Sequence, residues 1–158
     1  MMANVYLGLG SNLGDKRKQL ITATTLLAEK VGEILALSGF YETVPWGYQS
    51  AYSFLNRVVH LETSLSPDEL LAATLQIECE LGRTEKSKNQ QYTDRSIDID
   101  ILLYNELILQ TADLVLPHPL MHKRLFVLQP LSEIAPDLIH PVFHQTVTEL
   151  YQELLSEN

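Results

Sequence analysis

Cysteine is almost missing from this chain. Cys79 is the only one among 158 residues, which excludes an intrachain disulfide and any metal site built from clustered thiolates. Positive charge is scarce too: 11 Lys and Arg stand against 20 Asp and Glu, a formal net charge of −9. Binding a nucleic-acid backbone needs clustered excess cation, so the balance argues against such a partner. A small anionic ligand needs only a local basic cluster and stays open. No apolar run approaches the roughly 20 residues that span a bilayer. The opening "MMANVYLGLGSN" lacks a basic segment ahead of its apolar residues, so it does not read as a secretory signal. These gaps predict a protein of the reducing cytoplasm, with no membrane and no nucleic-acid partner. No dimer motif is evident, and a monomer is expected.

What is present reads as one domain over residues 1–158, with the 46% hydrophobic and 20% charged residues of an ordinary globular chain. Val5, Leu7 and Leu9 predict a first strand, with "GLGSNLGD" as a tight turn out of it. That segment lacks the Gly-Lys-Ser/Thr ending of a P-loop and the G-x-G-x-x-G spacing. Leu20, Ala23, Leu27 and Val31 keep helical spacing, and Gly32 reads as the stop. "EILALSGFYETV" predicts a second strand with a bulge at Ser38-Gly39, and "FLNRVVHLETS" a third. Ser66, Pro67 and Glu69 form a helix start with a capping box, and Gly82 is placed to end that helix. "RTEKSKNQQYTD" is polar and predicts a mobile loop. The order β-α-β-β-α-β then suggests an antiparallel-rich, ferredoxin-like α+β sheet with helices packed on one face. Beyond it, "ELILQ" suggests an edge strand, Met121 to Leu128 a helix, and Val147, Leu150, Tyr151 and Leu154 a last amphipathic helix, with Thr146 and Glu149 spaced as a capping box.

One strand carries unusual side chains. "RSIDIDILLY" alternates, so Ile97, Ile99, Ile101 and Leu103 share one face, and Ser96, Asp98, Asp100 and Leu102 the other. The two aspartates would sit about 7 Å apart at Cα and repel each other. A solvated strand face is one reading. The other is a pair of hard oxygen ligands for divalent metal, since Mg²⁺ takes one or two carboxylates and completes its shell with water and phosphate. Arg83 and Arg95 flank this segment, Lys86 and Lys88 lie between them, and His118, Lys123 and Arg124 follow in "LPHPLMHKRLF". Each could be an ordinary surface ion pair, and His118 a turn histidine. Gathered around an acidic pair, they fit a site for metal and polyphosphate. Phe54 and Asn56 share a strand face, where a flat heterocycle could stack and be hydrogen-bonded.

In combination these pieces resemble the 6-hydroxymethyl-7,8-dihydropterin pyrophosphokinase family. "GLGSNLGD", "FYETVPWG", "FLNRVV", "SPDELL", "IECELGR", "RSIDIDILLY", "LPHP" and "KRLFVLQPLSEIAP" stand in family order over nearly the whole length. The resemblance implies transfer of pyrophosphate from ATP to the hydroxymethyl group of a dihydropterin, in folate biosynthesis. It implies Asp98 and Asp100 as ligands of two Mg²⁺ ions, and Arg83 and Arg95 as cations closing on the triphosphate. Phe54 and Phe126 become the walls around the pterin, Asn56 its hydrogen-bonding partner, and Thr43, Val44 and Trp46 the loop beside it. His118 and Arg124 become further ATP contacts, Ile101 flanks the adenine, and Tyr92 stands as a stacking cover where many members have tryptophan. Segments 84–94 and 44–53 are implied as lids. The alternative from another class is a noncatalytic ferredoxin-like module that binds nucleotide and regulates.

Overall fold

The computed structural model describes residues 2–43, 53–82 and 97–157. Its centre is a five-stranded antiparallel sheet of β1 (Ala3–Ser11), β2 (Gly32–Leu37), β3 (Tyr41–Thr43), β4 (Phe54–Thr63) and β5 (Asp98–Tyr104). The strand order is β2-β4-β1-β5, and β3 pairs with the free end of β4 beyond β2. With α1 (Lys16–Lys30) after β1 and α2 (Pro67–Glu80) after β4, this is the ferredoxin-like arrangement expected from the sequence.

Local chemistry accounts for the element ends. Asp15 caps α1 by accepting from Lys18 N–H. Ser66 Oγ accepts from Glu69 N–H at 3.2 Å while Glu69 Oε1 accepts from Ser66 N–H at 2.8 Å, a complete capping box on α2. Thr146 and Glu149 repeat the device on the last helix, α4 (Val147–Ser156). Gly32 opens β2 rather than ending α1. A Cβ there would stand 1.9 Å from the Glu62 carbonyl oxygen, so the two strands meet too closely for any side chain.

Helices cover both faces of the sheet, not one. α1 and α2 pack on Val5, Leu7, Leu9, Val59, Leu61 and the isoleucines of β5. The opposite face carries Tyr6, Val58, Leu102 and Leu103, covered by α3 (Leu125–Ile134) and α4. Leu103 therefore does not share a face with the isoleucines. The β1–β5 register pairs Leu7 with Ile101 but Tyr6 with Leu103, skipping Leu102, and this bulge turns the end of the strand over.

Other expectations shift in detail. The second strand divides into β2 and β3, both on β4, with Ser38–Phe40 crossing between them. "ELILQ" contributes β6 (Leu109–Gln110), which among the described residues pairs with β7 (Val115–Leu116) in a two-stranded ribbon. The helix expected over Met121 to Leu128 is a 3-10 turn, Met121–Lys123, followed by α3. Arg124 lies between them in an extended conformation. Among the described residues no helix is long and apolar enough to cross a membrane.

Candidate active site

The face of β1 turned toward α3 is bare where it matters. Gly8 and Gly10 were expected in a turn; both lie within β1, two residues apart and so on one face. Gly10 pairs with Asn56 on one side and Asp98 on the other, and Gly8 pairs with Val58 and Asp100. Paired residues of antiparallel strands share a face. Asn56, Gly10 and Asp98 therefore form one row across three strands, with Tyr41 extending it as the partner of Asn56. Asn56 and Asp98 stand two strand spacings apart, about 10 Å. The glycines leave the floor between them without side chains.

Asn56 is buried and fixed. Its Nδ2 donates to Thr43 Oγ1 at 3.0 Å, and a Cβ on Gly10 would come within 2.9 Å of its Oδ1. Phe54, paired with Thr43, lies on the same face, half-buried. Phe126 enters from α3, packed against the apolar cluster under that helix. The Arg124 guanidinium lies 5.4 Å from the centre of the Phe126 ring and 3.7 Å from an Asp100 carboxylate oxygen.

Asp98 and Asp100 are both half-buried on this face, with the buried Ile99 between them pointing into the core. Glu78 of α2 is only 3% exposed and accepts from Ile99 N–H at 2.7 Å. The residue between the two aspartates is thus anchored from behind. No motif in the sequence singles out Glu78. A carboxylate one step from Ile77, on the stripe with Leu70 and Thr74, was the available signal.

His118 reaches the same strand through its backbone, donating to Leu102 O at 2.9 Å. Its Nδ1 accepts from Leu120 N–H at 3.1 Å, which places the ring proton of the neutral form on Nε2. Burial pushes the imidazole below its ordinary pKa, the Arg124 charge adds to this, and Asp98 opposes it. A pocket of about 280 Å³ opens at the outer edge of β5, lined by Leu71, Ile99, Asp100, Ile101, His118 and Pro119 among others.

The structure thus brings Thr43, Phe54 and Asn56 onto one floor, and Asp98, Asp100, Ile101, His118 and Arg124 around one end of β5. Phe126 stands on the helix Arg124 precedes. Val44, Trp46, Arg83, Tyr92, Arg95 and the two expected lids, except Ser53, lie outside the described residues.

Fold and site together define an α+β protein of the ferredoxin-like type, with paired carboxylates, a guanidinium and an aromatic-lined floor at one end of the sheet. The family model described as 7,8-dihydro-6-hydroxymethylpterin-pyrophosphokinase (HPPK) matches residues 6–136. A 2-amino-4-hydroxy-6-hydroxymethyldihydropteridine pyrophosphokinase of Porphyromonas gingivalis is 53% identical over 141 residues, covering 89% of this chain and 95% of the relative. One from Aquifex aeolicus is 43% identical over 152 residues, covering 96% and 92%. The chain belongs to the 7,8-dihydro-6-hydroxymethylpterin-pyrophosphokinase family. Among solved structures, Plasmodium falciparum HPPK-DHPS with pteroate superposes with a TM-score of 0.79 at 18% identity. The match covers 99% of this chain and 43% of that longer one, and it speaks for the fold alone.

Proposed function

We propose that this chain, as a single cytoplasmic domain of 158 residues working as a monomer, is a Mg²⁺-dependent pterin pyrophosphokinase. It transfers pyrophosphate from ATP to the hydroxymethyl group of 6-hydroxymethyl-7,8-dihydropterin, giving AMP and the pterin diphosphate, a step in folate biosynthesis. The observation that carries the residue assignment is the Asn56–Gly10–Asp98 row. It sets a polar group suited to a heterocycle and a carboxylate suited to a metal on one bare floor, about 10 Å apart.

The pterin is assigned to the floor of Thr43, Phe54 and Asn56, with Phe126 as the second wall and Val44 and Trp46 beside it. The amide of Asn56, already oriented by Thr43, reads the edge of the ring. ATP is assigned to the outer edge of β5. Ile101 and the pocket beside it take the adenine, and Arg124 and His118 face the phosphates, with Arg83, Tyr92 and Arg95 closing over them. His118, held largely neutral, offers its Nε2 proton as a hydrogen-bond donor.

Asp98 and Asp100 are a hard oxygen donor set of the kind Mg²⁺ takes. Among the described residues no group of three or more His, Cys, Asp or Glu side chains forms a protein cage. This suits an ion whose remaining ligands are water and phosphate. Two Mg²⁺ ions held there would supply neutralisation of the triphosphate charge.

The reaction is a displacement at the β-phosphorus. The hydroxymethyl oxygen forms the new P–O bond and loses its proton. The bond from the β-phosphorus to the α–β bridging oxygen breaks, and AMP leaves with that oxygen. The chain's own part is to hold both substrates on one rigid floor and to surround the developing charge with cations.

Chromatography of nucleotide products tests the reading. AMP is expected only when ATP, Mg²⁺ and hydroxymethyldihydropterin are all present. ATP binding with no AMP on adding the pterin would mark a regulatory module instead. ADP would mark transfer of a single phosphoryl group and overturn the proposal.

A further inference from the structure

One carboxylate joins the helix that carries Phe126 to the strand that carries Thr43. Glu133 lies near the end of α3, seven residues after Phe126 and so on the same helix face. It accepts from Gly39 N–H at 3.0 and 3.3 Å and from the Tyr41 hydroxyl at 2.7 Å. That last bond is the main reason the Tyr41 phenol is pushed up to about 12. Tyr41 and Thr43 share a face of β3 by alternation.

The opposite side of the same crossing is gripped as well. Arg57 is 9% exposed, donates from Nη2 to Ser38 O at 2.9 Å, and sets its guanidinium 4.3 Å from the Phe40 ring centre. Arg17 approaches the same ring at 4.5 Å. Residues 38–40 are therefore held against sliding along β4, and Glu133 sets their position relative to α3.

We propose that Glu133 is a positioning residue for the pterin half of the site. Through Gly39 and Tyr41 it fixes β3, and with it Thr43 and Asn56, at a set distance from Phe126. The proposal rests on the pterin assignment made above. A cleft whose walls are fixed beforehand loses less on binding than one the ligand must order. The bonds are charge-assisted, but the side chain is exposed to solvent, which limits their strength.

Steady-state kinetics on Glu133→Ala, Tyr41→Phe and the double variant, beside Phe126→Ala, provide the test. Glu133→Ala is expected to raise KM for the pterin about tenfold while KM for ATP changes less than about twofold. Tyr41→Phe, which leaves the bond to Gly39, is expected to give about a third of that rise. The double variant should match Glu133→Ala alone, because both changes break one link. Glu133→Gln retains an oxygen acceptor and should recover part of the loss. An unchanged pterin KM, or equal rises for both substrates, overturns the proposal. Should Glu133→Ala not fold, Tyr41→Phe decides the matter by the same asymmetry. An altered pterin KM in Phe126→Ala beside an unaltered one in Glu133→Ala overturns the tie alone. If Phe126→Ala also leaves it unaltered, the pocket assignment falls, and the tie with it.

Discussion

Replacing Gly10 by alanine probes the floor of the site with a single methyl group. The new Cβ would stand 2.9 Å from Asn56 Oδ1 and 3.7 Å from Phe54 Cδ1. The first contact is too short, and Asn56 is 5% exposed with little room to retreat. Its amide must rotate and give up the 3.0 Å bond to Thr43. Losing that bond costs about 1 kcal/mol, and a buried amide left without a partner costs roughly 1–3 kcal/mol. Removing a strand glycine returns about 0.5–1 kcal/mol. The net loss of stability is therefore about 1–3.5 kcal/mol, below the roughly 5–15 kcal/mol that ordinarily holds a domain together. Pterin affinity should fall about 10- to 100-fold, because 1.4 kcal/mol is tenfold and the displaced amide is the group assigned to the ring. Gly8→Ala is the matched control. Its Cβ meets Leu102 carbons at 3.6 Å, an ordinary contact, so affinity and stability should change little. Calorimetric titration of the pterin in the presence of a nonhydrolysable ATP analogue measures both variants. Unchanged affinity in Gly10→Ala, or equal losses in the two, would refute the reasoning.

Arg124→Ala removes an ion pair to Asp100 in which both side chains are about a third exposed. It should cost less than about 1 kcal/mol of stability. KM for ATP should nonetheless rise about tenfold, and an unchanged ATP KM would remove Arg124 from the phosphate site. Phe126→Ala should weaken pterin binding more than ATP binding, and equal losses by titration would point to a disturbed fold. His140 is 4% exposed, and its Nδ1 accepts from the Val142 and Phe143 N–H groups at 3.2 Å each. Burial, with some help from His122 and His144, lowers its pKa from 6.5 to about 4. Above pH 6.5 the ring is neutral folded and unfolded alike. As pH falls from there toward about 4 the unfolded chain takes the proton first, so stability drops, by about 3 kcal/mol at most. Urea melts across that window should slope less steeply for His140→Asn than for the parent protein, and parallel slopes would count against this origin.

Much of the frame could be read from the chain because its signals are local. The capping boxes at Ser66 and Thr146 lie within three residues of their partners and appear in the structure as expected. The isoleucine alternation of β5 placed Asp98 and Asp100 on one face correctly. It failed at Leu103, because a bulge is set by the pairing with Tyr6 and Leu7, which alternation does not encode. Gly8 and Gly10 lie within β1 rather than in the turn their sequence suggests. Glycine marks both a turn and a close approach, and only the flanking strands reveal which applies. Likewise, apolar spacing runs from Met121 through Leu128 without marking where the 3-10 turn ends and α3 begins at Leu125. The tie from Glu133 to Tyr41 spans 92 residues and crosses from helix to sheet, so no window of sequence contains it.

The proposed chemistry depends on Asp98 and Asp100 seating cations against the ATP phosphates. Electron paramagnetic resonance of Mn²⁺, titrated into the protein with pterin and a nonhydrolysable ATP analogue, measures that seat without requiring turnover. Two bound ions per chain are expected, with loss of tight binding for at least one of them in Asp98→Asn and in Asp100→Asn. Unaltered Mn²⁺ stoichiometry and affinity in both variants would contradict the assignment.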